Sequence, residues 1–364
     1  MKRNIFSVAL AIILAIALLA ACASPGGTGG GAAAPDVVVE TREDGRPIPT
    51  GRPLIVGTIP NHVGLPVHYA MVNGLFEEVG LDIRLEVFVT GAPINEAMAA
   101  GALDLAVSGQ AGVHGLATGM YTYIGDGVFS LSGEYIFARP DSPIALAGAN
   151  AAGLIGSAET VRGATFIGPL GTVAQAMVIR YAERFGLTAD EVSMVGMDFS
   201  QGVQAFLIGE GDLVVARPPE VSELIDLGYV IVAGFQHVFD ATVTDTIFVQ
   251  DSVAAERPGD LELFLYVYYK ASTALMADEA RRREVTLDLF ASEGVTLTEA
   301  DLDREIASRA YWTFDTIDPD RLGSFMIEIG EFFTYAEMIS QENFPNIEAS
   351  FDSSFLRNML EWAR

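Results

Sequence analysis

Residues 54–107 read LIVGTIPNHVGLPVHYAMVNGLFEEVGLDIRLEVFVTGAPINEAMAAGALDLAV. Leu54-Ile55-Val56-Gly57 is a short continuous apolar run, as expected of a strand buried on both faces. Asn61-His62-Val63-Gly64-Leu65-Pro66 is turn-rich, and Val67 to Val79 has helical periodicity up to a stop at Gly80. Ile83 to Val89 alternates at period two and predicts a second strand. Pro93 to Ala100 predicts a second helix, stopped by Gly101, and Leu103 to Val107 predicts a third strand. Strands separated by helices of this length are βαβ units, which build a parallel sheet.

The same alternation restarts downstream. Thr165-Phe166-Ile167 predicts a strand, Gly168-Pro169-Leu170-Gly171 a tight loop, and Thr172 to Phe185 a helix ended by Gly186. Val192–Val195, Leu213–Ala216 and Tyr229–Val232 follow as strands, with helices over Gln201–Ile208 and Pro219–Leu227 between them. Thr246-Ile247-Phe248-Val249 is strand-like and is expected to rejoin the first sheet, which makes that lobe discontinuous. From Pro258 the pattern is helical: Leu261–Ala277, Arg281–Ser292, Ala300–Trp312 and Asp320–Ser340. Phe264, Tyr268, Phe332 and Phe333 recur at helical spacing and are assigned to the core.

Ahead of this body lies an address label. Lys2 and Arg3 precede an apolar run from Ile5 to Ala20, closed by Leu19-Ala20-Ala21-Cys22, the chain's single cysteine. That is a secretory signal peptide with small residues at the cleavage site, and its ending resembles a bacterial lipobox in which Cys22 is acylated. The chain is therefore expected outside the cytoplasmic membrane, anchored by lipid. Residues 23–53 are rich in Gly, Ala and Pro and are expected to be a flexible linker. With Cys22 lipidated no disulfide framework remains, and 364 residues suffice for a large core without one. The net charge is −27, and −29 once Lys2 and Arg3 leave with the leader. A surface so acidic repels nucleic-acid phosphates and anionic lipid headgroups, so neither is an expected partner.

Gly57-Thr-Ile-Pro-Asn-His-Val-Gly-Leu-Pro-Val-His-Tyr-Ala70, Asn73-Gly-Leu-Phe-Glu-Glu-Val-Gly-Leu81 and Gly91 to Ala106 resemble the opening of ABC-transporter solute-binding proteins of the nitrate/sulfonate/taurine and thiamine-pyrimidine type. Gln204 to Glu220 repeats the small-residue and Gly-x-x-Asp pattern. The resemblance implies a type II periplasmic-binding-protein-like α/β fold: two lobes, each a mainly parallel sheet flanked by helices, plus a helical C-terminal tail. It implies lobe 1 at 54–136 plus 240–364 and lobe 2 at 137–239, with crossings near Tyr135–Arg139 and Phe235–Asp240. It also implies a small polar organic or inorganic anion or zwitterion, sulfonate-, taurine- or nitrate-like, held between the lobes, and a membrane ABC permease as partner; the chain is expected to be a monomer with no cofactor, metal or catalytic residue. A pyrimidine-type heterocycle as solute, or a ligand-sensing surface lipoprotein, are the alternatives. An enzyme, by analogy with pyrimidine-forming proteins of this fold, is a further one.

In open α/β sheets, ligands collect where strands end and helix N-termini begin, and those N-termini hold anions. The loop after strand one offers Asn61 and His62. His62 suits either a donor to an oxyanion or a solvent-facing loop position. Ser108, Gly109 and Gln110 follow strand three, where the glycine permits close backbone approach and Gln110 is donor and acceptor. Gly171 and Thr172 open a helix, with Thr172 suited to capping and to gripping an oxyanion. Arg217 stands where the resembled proteins often carry an aromatic before proline, which raises the odds of an anionic ligand group. Arg217 suits bidentate carboxylate or sulfonate binding, or an ion pair with Glu220 or Glu223. Glu134 would favour an amino or amidine group, and Tyr121 and Tyr123 lie on the approach to the first crossing. Gly-x-Ser-x-Gly, His-Glu-x-x-His and Walker-type patterns are absent, and His62, His68, His114 and His237 lack metal-site spacing.

Overall fold

The computed structural model describes residues 38–130, 133–239 and 243–363. The leader, Cys22 and linker residues 23–37 lie outside the described residues. Eleven strands are described: β1 (Leu54–Thr58), β2 (Ile83–Val87), β3 (Leu105–Ser108), β4 (Tyr121–Ser130), β5 (Tyr135–Ala138), β6 (Thr165–Gly168), β7 (Ser193–Gly196), β8 (Leu213–Ala216), β9 (Val230–Gly234), β10 (Val243–Gln250) and β11 (Arg309–Tyr311). They form a six-stranded sheet, β11-β4-β10-β3-β1-β2, and a five-stranded sheet, β7-β6-β8-β5-β9.

Each sheet has a parallel βαβ core. β1 pairs in parallel with β2 and β3, and β6 with β7 and β8. The apolar runs seen in the sequence become strands flanked on both sides, so their side chains leave water on both faces. The other strands run antiparallel. β10 lies between β3 and β4, and β5 lies between β8 and β9. The chain thus passes from one sheet to the other between β4 and β5, and back between β9 and β10. The first strand after each passage inserts into the sheet it reaches.

That arrangement moves one expected crossing. Tyr135–Ala138 is an interior strand, because Ile136, Phe137 and Ala138 are fully buried and pair on both sides. The single helix expected over Val67–Val79 is two, Leu65–Val72 and Leu75–Val79. Gly74 separates them at φ +67, a left-handed conformation that glycine adopts without strain. The helix expected to reach Trp312 stops at Ser308, since Arg309–Tyr311 pairs with the open edge of β4.

The tail completes the main core. Pro258–Ala277 packs between Leu65–Val72 and Ser354–Ala363. Phe264, Tyr268, Phe332 and Phe333 all belong to the core that includes the six-stranded sheet. Among the described residues no helix is long and apolar enough to cross a membrane.

The linker expected over 23–53 does not extend through its described part. Thr41 bridges to Pro47, and the Arg46 guanidinium lies 5.4 Å from the Tyr266 ring centre and 5.8 Å from that of Trp362. The Thr50 amide and hydroxyl donate to the two Asp260 oxygens at 2.8 and 2.6 Å. Arg257 donates to Asp260 at 2.8 Å and to the carbonyls of Pro53 and Arg52 at 3.0 and 2.6 Å. Gly and Pro content marks this segment as a linker. Side chains some 200 residues away supply the backbone partners that order it.

Asp260 is fully buried, and its loss strips a buried arginine of its nearest carboxylate. Asp260→Ala is expected to destabilise the fold by about 3 kcal/mol, read as a lower urea midpoint at unchanged m-value.

Candidate functional site

Loops from the two sheets meet at the carboxyl ends of the parallel strands. Ile59, His62 and Val63 follow β1, Thr90 and Gly91 follow β2, and Gly109, Gln110 and Ala111 follow β3. From the other sheet come Thr172 and Val173 after β6, Phe199 after β7 and Arg217 after β8. Glu134, just before β5, and Asp245, within β10, close the ring around a cavity of about 50 Å³. A water needs roughly 10–15 Å³ by this measure, so there is room for about four water-sized groups. A larger groove of about 360 Å³ lies farther along the helix Val173–Glu183, at Arg180, Glu183 and Phe332.

Local sequence explains the convergence. The helix Val173–Glu183 starts at the cavity because Thr172 caps it, its hydroxyl accepting from the Ala174 amide at 3.2 Å. Asp198 caps Phe199–Leu207 in the same way, accepting from the Gln201 amide at 2.9 Å. The helix Gly91–Ala99 begins hard against the loop after β3. A Cβ on Gly91 would stand 2.7 Å from that of Ala111 and 3.0 Å from the Ser108 hydroxyl oxygen, so only glycine permits the approach.

Six of the nine residues singled out in the sequence line the cavity: His62, Gly109, Gln110, Glu134, Thr172 and Arg217. Asn61, Ser108 and Gly171 support it from behind. The Asn61 carboxamide oxygen accepts from the Val63 amide at 2.9 Å, shaping the turn. Ser108 is buried, and its carbonyl accepts from the Thr246 hydroxyl at 3.0 Å. The Gly171 amide donates to Gln175 at 2.8 Å, inside its own lobe. Tyr121 and Tyr123 do not line the cavity. Tyr123 donates its hydroxyl to Asp126 at 2.6 Å, and Tyr121 packs edge-on against Phe248.

Charge is concentrated here. Arg309 donates to Glu134 Oε1 at 3.1 Å, and His62 Nδ1 lies 3.1 Å from Glu305 Oε1. His62 Nε2 is 3.8 Å from Asp245 Oδ2, beyond hydrogen-bond range. Gln110 Nε2 donates to Asp245 Oδ1 at 2.9 Å and to the Thr244 carbonyl at 3.2 Å. Neither Glu134 Oε2 nor Asp245 Oδ2 receives a hydrogen bond among the described residues. Arg217 lies with its guanidinium 4.4 Å from the centre of the Phe199 ring, and it makes no hydrogen bond or ion pair among the described residues. The ion pair with Glu220 or Glu223 that the sequence allows is not formed.

Residues 49–287 match the model of one protein family, spanning β1 to β10 and every residue lining this cavity. The chain belongs to the NMT1-like family. A protein of Brachyspira hyodysenteriae, provisionally assigned as an ABC transporter periplasmic binding protein, is 25% identical over 354 residues, 96% of this chain and 97% of the relative. Among solved structures, the nitrate-binding protein NrtA of Synechocystis PCC 6803 superposes with a TM-score of 0.68 at 13% identity, over 86% of this chain and 89% of NrtA. The alkanesulfonate-binding protein SsuA of Xanthomonas axonopodis pv. citri, solved with MOPS bound, gives 0.66 at 16% identity, over 84% and 99%. The desulfurization enzyme DSZB gives 0.57 at 14% identity, over 86% and 99%. The NMT1-like chain therefore has the two-lobed periplasmic-binding-protein fold.

The groups that sequence reasoning missed in this NMT1-like site are Asp245, Arg309 and Glu305, together with Thr90 and Phe199. Burial is the largest influence on Asp245 and pushes its carboxyl up to about 8, with Arg309 and Gln110 pulling the other way. Burial is likewise the largest influence on His62 and lowers it, with Arg309 adding to it and Glu305 and Glu134 pulling the other way. Burial also acts to raise Glu305, but His62, Arg309 and Arg217 outweigh it and hold the carboxylate at about 2. Arg309 is desolvated, yet Glu134, Glu305 and Asp245 keep it above its ordinary value. Desolvation lowers Arg217, against the pull of Glu220, Glu134 and Glu305.

Asp245 sets a pH signature. Its folded pKa lies above the unfolded value near 4, so the native state binds the extra proton and this contribution to stability falls as pH rises from about 4 to about 8. Asn at this position still accepts from Gln110 and never ionises. Asp245→Asn is expected to raise the melting temperature of the solute-free protein, with the gain growing between pH 5 and pH 8. Thermal melts at three pH values check it, and a gain that shrinks with pH contradicts it.

Proposed function

We propose that this chain is the extracytoplasmic solute-binding component of an ABC importer. It captures a small polar organic or inorganic anion or zwitterion between its two sheets and delivers it to a membrane permease. The observation that carries this reading is Arg217, a guanidinium in the cavity wall without a hydrogen-bonding or ionic partner among the described residues. A charge left in that state favours an oxyanion, which accepts its N–H donors in a bidentate fork. Thr172 and Val173, at the start of the helix Val173–Glu183, line the same cavity and add the favourable end of a helix dipole.

Other observations support it. The Brachyspira relative is provisionally assigned to ABC transport, and the solved neighbours NrtA and SsuA are a nitrate-binding and an alkanesulfonate-binding protein. The leader and lipobox motif ending at Cys22 fit a lipid-anchored protein outside the cytoplasmic membrane, at the cell surface or in the periplasm. The cavity walls carry no serine, cysteine or lysine among the described residues, so they favour binding over nucleophilic chemistry, although DSZB shows that the fold also serves an enzyme. Because the walls belong to both sheets, a solute that touches both is bound best when they are close. Its differential affinity then shifts the population toward closure.

The test is a thermal-shift screen followed by calorimetry, with nitrate, alkanesulfonates, aminosulfonates, amino acids and aminopyrimidines. One class is expected to raise the melting temperature in proportion to the logarithm of its excess. Arg217→Ala should weaken an anionic hit by about 10- to 100-fold, the scale of a hydrogen bond to a charged group. Saturable binding by no class, or an Arg217→Ala variant with unchanged affinity, counts against the proposal.

A further inference from the structure

We infer that the solute carries an ammonium or amidine-like N–H group beside its anionic head, and that Glu134 and Asp245 form the subsite that reads it. The inference rests on the solute-capture reading and narrows its ligand.

Two carboxylates face the cavity, and each is half satisfied. Glu134 gives one oxygen to Arg309 and Asp245 gives one to Gln110. The second oxygen of each, Glu134 Oε2 and Asp245 Oδ2, has no donor among the described residues, although the two residues are only 5% and 2% exposed. A buried acceptor without a donor is costly, more so when ionised, and native structures rarely keep two in one place. The nearest candidate donor, His62 Nε2, stops 3.8 Å short of Asp245, and His62 already faces Glu305 through its other nitrogen.

Nitrate and simple alkanesulfonates bring acceptors only. In this cavity they would satisfy Arg217 and leave Glu134 Oε2 facing more oxygen, with Asp245 able to meet them only while it keeps its proton. A solute with two or more N–H donors a few ångströms from its anionic group answers both halves of the site at once. The raised carboxyl of Asp245 fits a site at rest, since a cation arriving beside it favours the ionised form. Sites built to hydrogen-bond a donor discriminate strongly against the analogue that lacks it, because their polar groups are then left unpaired.

Matched pairs provide the experiment: taurine against ethanesulfonate, β-alanine against propionate, and glycine against acetate, each titrated into the full chain by calorimetry at pH 7. At least one amino member is expected to bind about tenfold or more tightly than its partner. Asp245→Asn and Glu134→Gln should each cut that ratio by about tenfold, whereas Arg217→Ala weakens both members of the pair and leaves the ratio standing. Asp245→Asn retains an acceptor for Gln110, so it keeps the test open if Glu134→Gln, which disturbs Arg309, misfolds. Tighter or equal binding of the amine-free members overturns the inference while solute capture stands. Binding by no member of this set or of the wider screen overturns solute capture, and the inference with it.

Discussion

Charge buried around a small cavity is the constraint around which this molecule is arranged. Arg309 and Glu134 meet at 3.1 Å with side chains 2% and 6% exposed, and desolvating such a pair costs several kcal/mol per ion before any attraction is counted. The pair holds only if the backbone brings both partners to one place. β11 does so from the tail, pairing with β4, while Glu134 sits just ahead of β5. His62 and Glu305 repeat the device, joining the loop after β1 to the helix Glu299–Ser308. The C-terminal tail therefore supplies the counter-ions for the binding walls as well as apolar cover for the six-stranded sheet.

How much of this can be read in the sequence follows from the range of the interactions. Leu54–Gly57, Thr165–Ile167 and Leu213–Ala216 announce themselves because a doubly buried strand must be apolar at every position, and the loops after them follow from topology. His62, Gln110, Thr172 and Arg217 are found that way. Asp245 is hidden inside Thr244-Asp245-Thr246, where one acid in a strand reads as a surface position. Arg309 sits where the helical pattern runs on toward Trp312, and only the vacant edge of β4 turns it into a strand. The order in residues 38–53 is invisible for the same reason, since its partners Arg257 and Asp260 are folded in from far along the chain.

The division of labour across the cavity has a physical logic. Arg217, Thr172 and Phe199 stand on the five-stranded sheet, and His62, Gln110 and Asp245 on the six-stranded one. The first group offers positive potential and an aromatic ring, the second an imidazole, an amide and a carboxyl, with Glu134 at the passage between the sheets. A molecule that touches both groups is held from both sheets. Affinity is therefore tied to the distance between the sheets, which is the condition for a binding event to alter shape.

The insertion of β10 between β3 and β4 also dictates an order of assembly. β5 to β9 are contiguous, so their sheet has every strand once Gly234 has emerged. β3 has β1 on one side and gains its other neighbour only from residues 243–250, some 135 positions later. Until then the nascent chain carries an apolar strand, Leu105–Ser108, with an open ladder edge, the kind of surface on which polypeptides aggregate. Until the returning strand closes the gap, residues 105–108 are the stretch of this sheet most open to pairing with another chain.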